Sequence, residues 1–230
     1  MFRFKRFAVE QQGASMKVGT DGVLIGAWAS APEGCGRILD IGTGTGVIAL
    51  MAAQRWPAAT VTGIEIDAAA AECARRNAAA SPWSGRVDVV NAPVQEYAPD
   101  VKFDLAVSNP PYYDASLTCR DAVRSHARHT LSLSFEELFE AVRRLLSPHG
   151  RFAVIVPTDS VRSVVAAGDM HLVRRCDVRT LPSKPPKRTM LEFALRFTGA
   201  VQFDELTVGD GSGGYDEKYK TLTRDFYLDF

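Results

Sequence analysis

The sequence lacks several features that mark large classes of proteins. Its four cysteines are scattered and form no CxxC pair, which argues against a disulfide-stapled secreted scaffold. No apolar run approaches membrane-spanning length, and the first six residues alternate charge with aromatic rings instead of forming the apolar core of a signal peptide. Excess charge of one sign is also missing, because 27 basic residues balance 27 acidic ones. We therefore expect a cytoplasmic protein without membrane contact, whose partners are attracted by local patches.

The chain is long enough for one domain with a sizeable core, because 46% of its 230 residues are hydrophobic. We expect a single domain with an N-terminal segment (1–35), a core (36–200) and a C-terminal tail (201–230). In the core, short apolar runs alternate with helical patterns, which is typical of an α/β fold with a mostly parallel sheet. The predicted strands are Arg37–Ile41, Thr60–Ile66, Val87–Val90, Phe103–Ser108, Arg151–Val156, and two further strands near Val173–Thr180 and Leu191–Phe197.

Two helices of the core are marked by N-terminal capping signals. Asp67 precedes an alanine-rich stretch and is predicted to cap a helix over Ala68–Ala80. Ser134 is followed three residues later by Glu137, which is a capping box. This second signal predicts a helix that runs to about Leu146.

A glycine-rich loop follows the first predicted strand of the core. Gly42, Gly44 and Gly46 precede a helical pattern over Val47–Gln54. Glycines let a ligand approach the backbone at the mouth of a helix, where free N–H groups favour polar or anionic groups. Asp40, at the head of the loop, is predicted either to brace the loop or to contact the ligand. The spacing indicates a nucleotide-like ligand, but it also satisfies the dinucleotide pattern of NAD enzymes.

An acidic residue closes the second predicted strand. Glu65 stands nineteen residues after Gly46, at a strand end where an open α/β sheet binds its ligand. A carboxylate there can accept hydrogen bonds from both hydroxyls of a ribose. NAD and S-adenosylmethionine both carry such a ribose, so Glu65 alone does not separate the two.

The fourth predicted strand runs directly into Asn109-Pro110-Pro111-Tyr112. The prolines make this loop stiff, and the side-chain oxygen of Asn109 and the main-chain oxygen of Pro110 can accept both hydrogens of a planar NH2 group. This pairing aims the nitrogen lone pair at an electrophile, and a methyl sulfonium suits it because transfer needs alignment more than a strong base. Tyr112 can stack on the target ring. The motif therefore favours S-adenosylmethionine over NAD.

The combined motifs resemble the class I S-adenosylmethionine methyltransferases that methylate amino groups, including adenine N6 and glutamine N5 enzymes. The flanking sequence is similar to the bacterial valine-tRNA adenine N6-methyltransferases, which modify the adenine just 3′ of the anticodon. The segments that carry this closer resemblance are Phe2–Phe7, Met16–Trp28, Ser81–Trp83, Arg128–His129, Leu181–Glu192 and Thr221–Phe230.

The resemblance implies a Rossmann-like sheet of seven strands, with a reversed last strand and helices on both faces. It also implies that the N-terminal segment covers the cofactor, with Lys17, Thr20 and Asp21 lining the pocket, Asn91 near the adenine of the cofactor, and Asn109 contacting cofactor and target. The expected reaction is methyl transfer from S-adenosylmethionine to N6 of adenine 37 in tRNA(Val). The expected partner is the anticodon stem-loop, with no obligate protein partner.

Positive charge is concentrated in three stretches of the chain. These are Arg3, Lys5 and Arg6; Arg120, Arg124 and Arg128; and Arg174, Arg175, Arg179, Lys184, Lys187 and Arg188. The second stretch follows the proline motif and is predicted to meet phosphates beside the target base. In the third stretch, the proline-stiffened residues Lys184, Lys187 and Arg188 are predicted to bind substrate. His126 and His129 form an HxxH pair, but no ligand set completes it and we expect no metal.

Other functions remain open at this point. The same motif serves N6-adenine methylation of ribosomal RNA or DNA, glutamine N5 methylation of a protein, and, without catalysis, a cofactor-binding or RNA-binding module. A pure binder has no need of a paired acceptor for NH2. Glutamine N5 enzymes usually carry a helical N-terminal domain, whereas about 35 residues precede the first core strand here, which favours RNA as the substrate.

Overall fold

The structure is a computed structural model and describes residues 1–13, 17–111, 133–197 and 199–230. Its strands are β1 (Phe2–Arg3), β2 (Ala8–Val9), β3 (Arg37–Ile41), β4 (Thr60–Glu65), β5 (Val87–Asn91), β6 (Phe103–Ser108), β7 (Leu146–Pro157), β8 (His171–Arg179), β9 (Arg188–Ala194) and β10 (Gln202–Thr207). Its helices are α1 (Thr20–Trp28), α2 (Val47–Arg55), α3 (Ala68–Ala79), α4 (Phe135–Leu145), α5 (Val161–Ala167) and α6 (Glu217–Thr223), with a 3₁₀ turn at Thr158–Ser160.

The predicted α/β class is confirmed. Within the described ranges, eight strands form one sheet in the order β10-β8-β9-β7-β6-β3-β4-β5, and β9 alone among them runs antiparallel to its neighbours. The seven predicted core strands correspond to β3–β9, and the reversed strand is the last of these seven.

The expected count of seven strands is wrong, because β10 adds an eighth strand, which pairs with β8 and is the outermost strand of the sheet. In β10 only Leu206 is buried. This strand therefore lacks the apolar pattern from which a strand can be predicted.

One edge of the sheet collects the carboxyl ends of the parallel strands, and we call it the carboxyl edge. The glycine loop after β3, Glu65 at the end of β4, Asn91 at the end of β5 and Asn109 after β6 all lie there. Because β7 and β8 are both antiparallel to β9, they run in the same direction, and the loop after β8 lies at the same edge. In open parallel sheets this is where ligands bind.

The central strands are buried on both faces. In β3, Ile38 packs in the cluster that includes α1 and α2, whereas Leu39 packs with α4 on the opposite face. Parallel strands covered on both faces contain long apolar runs, which is why β3, β6 and β7 are evident in the sequence.

Helix α1 is apolar on all sides, because every residue from Gly22 to Trp28 is buried. It has no polar face and hence no helical periodicity, so no helix is predicted there from the sequence. Gly26 allows α1 to approach α2 closely, since a Cβ atom at this position would lie 2.8 Å from Sδ of Met51.

Both predicted caps are confirmed. The Asp67 side chain accepts a hydrogen bond from the Ala70 N–H at the start of α3. At the start of α4, Ser134 and Glu137 make both reciprocal bonds of the capping box. The helices end at Ala79 and Leu145, within one residue of the predicted ends.

The two ends of the chain are fastened to each other. The Lys5 Nζ atom donates to the carbonyl oxygens of Arg224 at 2.6 Å and Phe230 at 2.7 Å. Nearby, the rings of Phe4 and Tyr227 stack with their centroids 6.1 Å apart. In the part of the chain that the structure describes, no helix has the length and apolarity needed to cross a membrane.

Candidate active site

The glycine loop turns through three left-handed residues. Gly42, Gly44 and Gly46 have φ angles of 71°, 54° and 82°, which residues with a Cβ atom rarely adopt. The N–H groups of Gly42 and Thr43 both donate to the Ile64 carbonyl, at 2.9 and 3.0 Å, so the loop is held against β4. A Cβ atom at Gly42 would meet nothing within 4 Å. The backbone there is open to a ligand.

Asp40 is completely buried beneath this loop. Its Oδ2 atom accepts hydrogen bonds from the Thr43 hydroxyl at 2.5 Å and from the Ala49 N–H at 3.0 Å. These contacts support the loop-bracing alternative of the sequence analysis. Its Oδ1 atom has no hydrogen-bond partner among the described residues, and burial raises the pKa of Asp40 to about 7.

Glu65 joins the glycine loop to the turn after β4. One carboxylate oxygen accepts from the Gly44 N–H and the other from the Asp67 N–H, each at 2.9 Å. Asn91 supports the same turn, because its side-chain nitrogen donates to the carbonyls of Glu65 at 2.8 Å and Ile66 at 3.0 Å. Each carboxylate oxygen retains a second lone pair for a ligand hydroxyl.

Ile66 is a member of this region that the sequence analysis missed. It is apolar yet 46% exposed, beside Glu65 at the carboxyl edge. It was predicted as an ordinary strand residue, but β4 ends at Glu65. An apolar residue between two acids at a strand end is the signal that could have identified it.

The proline motif begins at the middle of the carboxyl edge. Asn109 follows β6, which lies between β3 and β7, and the Ser108 hydroxyl fastens this strand end to the Ile41 carbonyl at 2.9 Å. Pro110 is buried and Asn109 half-buried. A Cβ atom at Gly22 would lie 3.9 Å from Asn109 Nδ2, so the first turn of α1 packs beside this side chain.

Some of the predicted site residues fall in the segment 112–132. Tyr112, Arg120, Arg124 and Arg128 lie outside the described residues, as do His126 and His129. Their roles remain predictions.

The N-terminal residues predicted to line the cofactor pocket lie at the start of α1. Lys17 and Thr20 are exposed. Asp21 is half-buried, and its Oδ2 atom accepts a hydrogen bond from Nε of Arg188 at 2.7 Å. A residue predicted to contact cofactor and one predicted to contact RNA therefore form an ion pair.

The basic residues separate into three structural groups. Lys184 and Lys187 are exposed on the β8–β9 loop at the carboxyl edge, where the Arg179 guanidinium holds the Lys184 carbonyl at 3.0 Å. The arginines of β8 form ion pairs with carboxylates of the same sheet: Arg174 with Glu192, Arg175 with Asp177, and Arg179 with Glu205.

The N-terminal basic residues lie elsewhere. The Arg6 guanidinium lies over the ring of Trp83, 5.6 Å from its centroid. Trp83 precedes β5 and therefore lies at the amino ends of the strands, opposite the carboxyl edge. The N-terminal basic residues therefore do not converge with the lysines of the β8–β9 loop.

The described residues at the carboxyl edge fit a nucleoside-bearing cofactor. The Glu65 carboxylate suits ribose hydroxyls, exposed Ile66 offers an apolar surface to a planar base, and the glycine loop leaves its backbone accessible. Asn109 lies one strand beyond β3 from these residues, so an amine bound there is adjacent to the cofactor pocket.

Comparison with known proteins agrees with this arrangement. The family model of the methyltransferase small domain matches residues 23–162. A tRNA1(Val) (adenine(37)-N6)-methyltransferase of Bacteroides thetaiotaomicron is 47% identical over 231 residues, covering 99% of this chain and 97% of that protein. Proteins of the same name from Porphyromonas gingivalis and Aeromonas hydrophila are 46% and 43% identical, covering 99% of this chain and 94% and 97% of their own lengths.

Solved structures show the same fold. A predicted O-methyltransferase of Agrobacterium tumefaciens superposes with a TM-score of 0.70 at 23% identity, covering 90% of this chain and 96% of its own. A glycopeptide N-methyltransferase in complex with S-adenosylmethionine gives a TM-score of 0.57 at 14% identity, covering 80% and 96%.

The sheet order, the site and these matches define a class I S-adenosylmethionine-dependent methyltransferase. The chain belongs to the methyltransferase small domain family and, within it, to the family of the tRNA1(Val) (adenine(37)-N6)-methyltransferases. The predicted enzyme class and cofactor are thereby confirmed.

Proposed function

We propose that this enzyme transfers a methyl group from S-adenosylmethionine to N6 of adenine 37 in tRNA(Val), in the cytoplasm. The observation that carries the proposal is the position of Asn109 and Pro110. They follow β6 at the middle of the carboxyl edge, one strand from the glycine loop and on the same edge as the exposed lysines of the β8–β9 loop. The names of relatives that match over nearly the whole chain support this choice of base and tRNA.

In this proposal Asn109 and Pro110 hold the target amine. Their two oxygens accept the hydrogens of N6, which draws the nitrogen lone pair out of the adenine ring and aligns it. Tyr112 stacks on the base. S-adenosylmethionine, when bound, would supply the electrophilic methyl group: the N6–CH3 bond would form as the S–CH3 bond breaks, S-adenosylhomocysteine would leave, and N6 would lose one proton to solvent. The chain needs no strong base, because alignment and electrostatic complementarity account for the acceleration.

The cofactor pocket is assigned to residues around the glycine loop. Glu65 accepts hydrogen bonds from the ribose hydroxyls, and Ile66 packs against the adenine of the cofactor, with Asn91 beside it. Lys17 and Thr20, which are exposed before and at the start of α1, complete the pocket from the N-terminal side. Gly42, Gly44 and Gly46 let the cofactor approach the backbone, and Asp40 shapes the loop from below.

RNA is held by local charge, since the protein has no net charge. Lys184 and Lys187 are exposed at the edge that carries Asn109, and Arg120, Arg124 and Arg128 follow the same motif in the sequence. Such contacts bind phosphates without reading sequence. An anticodon loop suits this arrangement, because its bases are partly unstacked and the cost of extruding one is a few kcal/mol or less.

The test is methyl transfer by the purified enzyme with isotopically labelled S-adenosylmethionine. Folded tRNA(Val) should incorporate label as N6-methyladenosine, identified by mass spectrometry of nucleosides, and a transcript with guanine at position 37 is the matched control. Free adenosine should be a very poor substrate, because it offers no phosphates. Label in the control transcript, in ribosomal RNA or DNA, or in a release-factor-like protein instead of tRNA(Val), would reject the assignment. Loss of the nucleoside in a deletion strain, with recovery on gene restoration, tests the same activity in cells.

A further inference from the structure

We propose that Arg188 is a positioning residue for methyl transfer that acts through Asp21, and not a ligand of RNA phosphates. The sequence alone groups Arg188 with Lys184 and Lys187 as a basic RNA-binding loop. The structure separates it from them. This inference deepens the proposed function and rests on it.

The ion pair of Arg188 joins two parts of the chain that the sequence keeps apart. Arg188 is the first residue of β9, paired with Pro157 of β7 and Val178 of β8, so its backbone is fixed in the sheet. Its Nε atom donates to Asp21 at 2.7 Å, and the two side chains are 34% and 28% exposed. Partial burial reduces the solvent screening of this pair relative to a fully exposed salt bridge. Asp21 also lies in the first turn of α1, where the helix dipole favours a carboxylate.

The Arg188–Asp21 ion pair is connected to Asn109 through Gly22, the residue that follows Asp21 in the chain. Gly22, the neighbour of Asp21, packs beside Asn109, since a Cβ atom there would lie 3.9 Å from Asn109 Nδ2 and 3.5 Å from Val47 Cγ1. Arg188 therefore holds the first turn of α1 against Asn109. If the pair is lost, this turn is released, and Asn109 loses a wall that keeps its side chain in place. A misplacement of about 1 Å in a reacting geometry can cost about 10²-fold in rate.

Lys187 provides the contrast. Its side chain is exposed, whereas its backbone is fixed by two hydrogen bonds. The Lys187 N–H donates to the Val178 carbonyl, and the Lys187 carbonyl accepts from the Thr158 N–H. An ammonium on a fixed backbone at the carboxyl edge can meet a phosphate at little cost. Arg188 would first have to leave Asp21, which would strand a half-buried carboxylate beside the binding site.

The experiment compares Arg188→Ala, Asp21→Asn, the double variant and Lys187→Ala in kcat and KM for tRNA(Val), and in the salt dependence of RNA binding. We expect Arg188→Ala and Asp21→Asn each to lower kcat by about 10-fold to 100-fold. Their salt slopes should equal that of the parent, and the double variant should be no worse than the singles, because both lose the same pair. Lys187→Ala should raise KM and lower the slope by about 0.7–0.9, the contribution of one phosphate contact.

Arg188→Lys keeps the positive charge and should recover part of kcat, which general damage to the fold would not allow. Asp21→Asn is close in shape to the parent residue, so it reports on the pair even if Arg188→Ala is unstable. A reduced salt slope in Arg188→Ala, or unchanged kcat in Asp21→Asn, would overturn the proposal. If the parent enzyme itself leaves tRNA(Val) unmethylated, the proposed function fails first, and the inference that rests on it is withdrawn.

Discussion

Asp40 is a carboxyl group that the fold holds where its charge is unfavourable. Burial raises its pKa from an ordinary value of 3.8 to about 7, with a smaller contribution from the charge of Glu65, while the bonds from Thr43 and Ala49 act in the opposite direction. A residue with such a shift makes stability depend on pH. The Oδ1 atom without a hydrogen-bond partner suits the proton that the folded state retains.

Asp40→Asn should remove this pH dependence. With the folded pKa above the unfolded one, the folded parent binds the extra proton. The free energy of unfolding therefore falls by about 1.4 kcal/mol per pH unit between about pH 4 and pH 7, and is constant above. Asparagine mimics the protonated acid. We expect the free energy of unfolding of Asp40→Asn, measured by denaturant melts, to lack this fall between about pH 4 and pH 7. The variant should therefore be more stable than the parent at pH 8. A parent and variant with parallel pH profiles would contradict this assignment.

Asn109→Ala should abolish most turnover without loss of cofactor binding. Removing one preorganised polar group at a reacting centre commonly costs about 10²–10³ in rate. The affinity for S-adenosylhomocysteine, measured by calorimetry, should stay within a few-fold of the parent. Unchanged turnover would refute the role of Asn109 in holding the amine.

Glu65→Ala is the matched control for Asn109→Ala, with the opposite expected pattern. It should weaken S-adenosylhomocysteine binding by about 1.5–3 kcal/mol, the range for hydrogen bonds to a charged group. Part of this loss will come from the Gly44 and Asp67 N–H groups, which lose their acceptor. Equal affinity in variant and parent would mean that Glu65 is a structural residue.

At the scale of elements, β4 and the glycine loop depend on a close contact. A Cβ atom at Gly63 would lie 2.8 Å from Oγ1, 2.9 Å from Cγ2 and 3.0 Å from Cβ of Thr43, whose hydroxyl is bonded to Asp40. All three distances are too short for a side chain to be accommodated without movement of the loop. The glycine in the middle of a strand is therefore explained by packing against the loop and not by strand conformation.

Gly63→Ala should displace Thr43 and with it the loop. We expect at least a 10-fold weaker affinity for S-adenosylhomocysteine and a lower melting temperature, since overpacking of this kind costs about 1–3 kcal/mol. Gly85→Ala is the control, because a Cβ atom there meets nothing within 4 Å. If both variants bind like the parent, the loop is more adaptable than its hydrogen bonds indicate.

At the scale of the whole molecule, Lys5 connects the N-terminal strands to the C-terminal tail. Its ammonium group is bonded to carbonyls of Arg224 and Phe230, and its backbone N–H donates to the Phe226 carbonyl at 2.8 Å. Because its ammonium group is already bonded to the C-terminal tail, we do not expect this basic residue to bind RNA. It lies at the opposite edge of the sheet from Asn109.

Lys5→Met keeps the length of the side chain but removes its donors. Two exposed hydrogen bonds are lost, so we expect about 1 kcal/mol of destabilisation and a melting temperature lower by about 2–4 °C. Lys187→Met, on an exposed side chain, should melt like the parent. RNA binding should respond in the reverse manner, with weaker binding in Lys187→Met and parent-like binding in Lys5→Met. The opposite assignment of the two effects would place RNA on the N-terminal face.

Much of the fold and of the site is determined by the sequence alone. The central strands β3, β6 and β7 are covered on both faces and therefore contain long apolar runs, and the caps at Asp67 and Ser134 are local signals that need no tertiary contact. The glycine loop, Glu65 and Asn109 are recognisable because each follows a strand end, and parallel strands bring their carboxyl ends to one edge.

Other features were decided by tertiary structure, because they depend on residues far apart in sequence. Helix α1 is buried on all sides and has no periodicity, and β10 forms on an existing sheet edge with a single buried residue. The role of a charged side chain likewise depends on what the fold brings beside it. Arg188 and Lys187 are adjacent in sequence, but one meets Asp21, 167 residues away along the chain, and the other faces solvent. The sequence does not distinguish the ion-paired Arg188 from the exposed Lys187, because an ion pair is defined by distance and burial, which only the folded chain supplies.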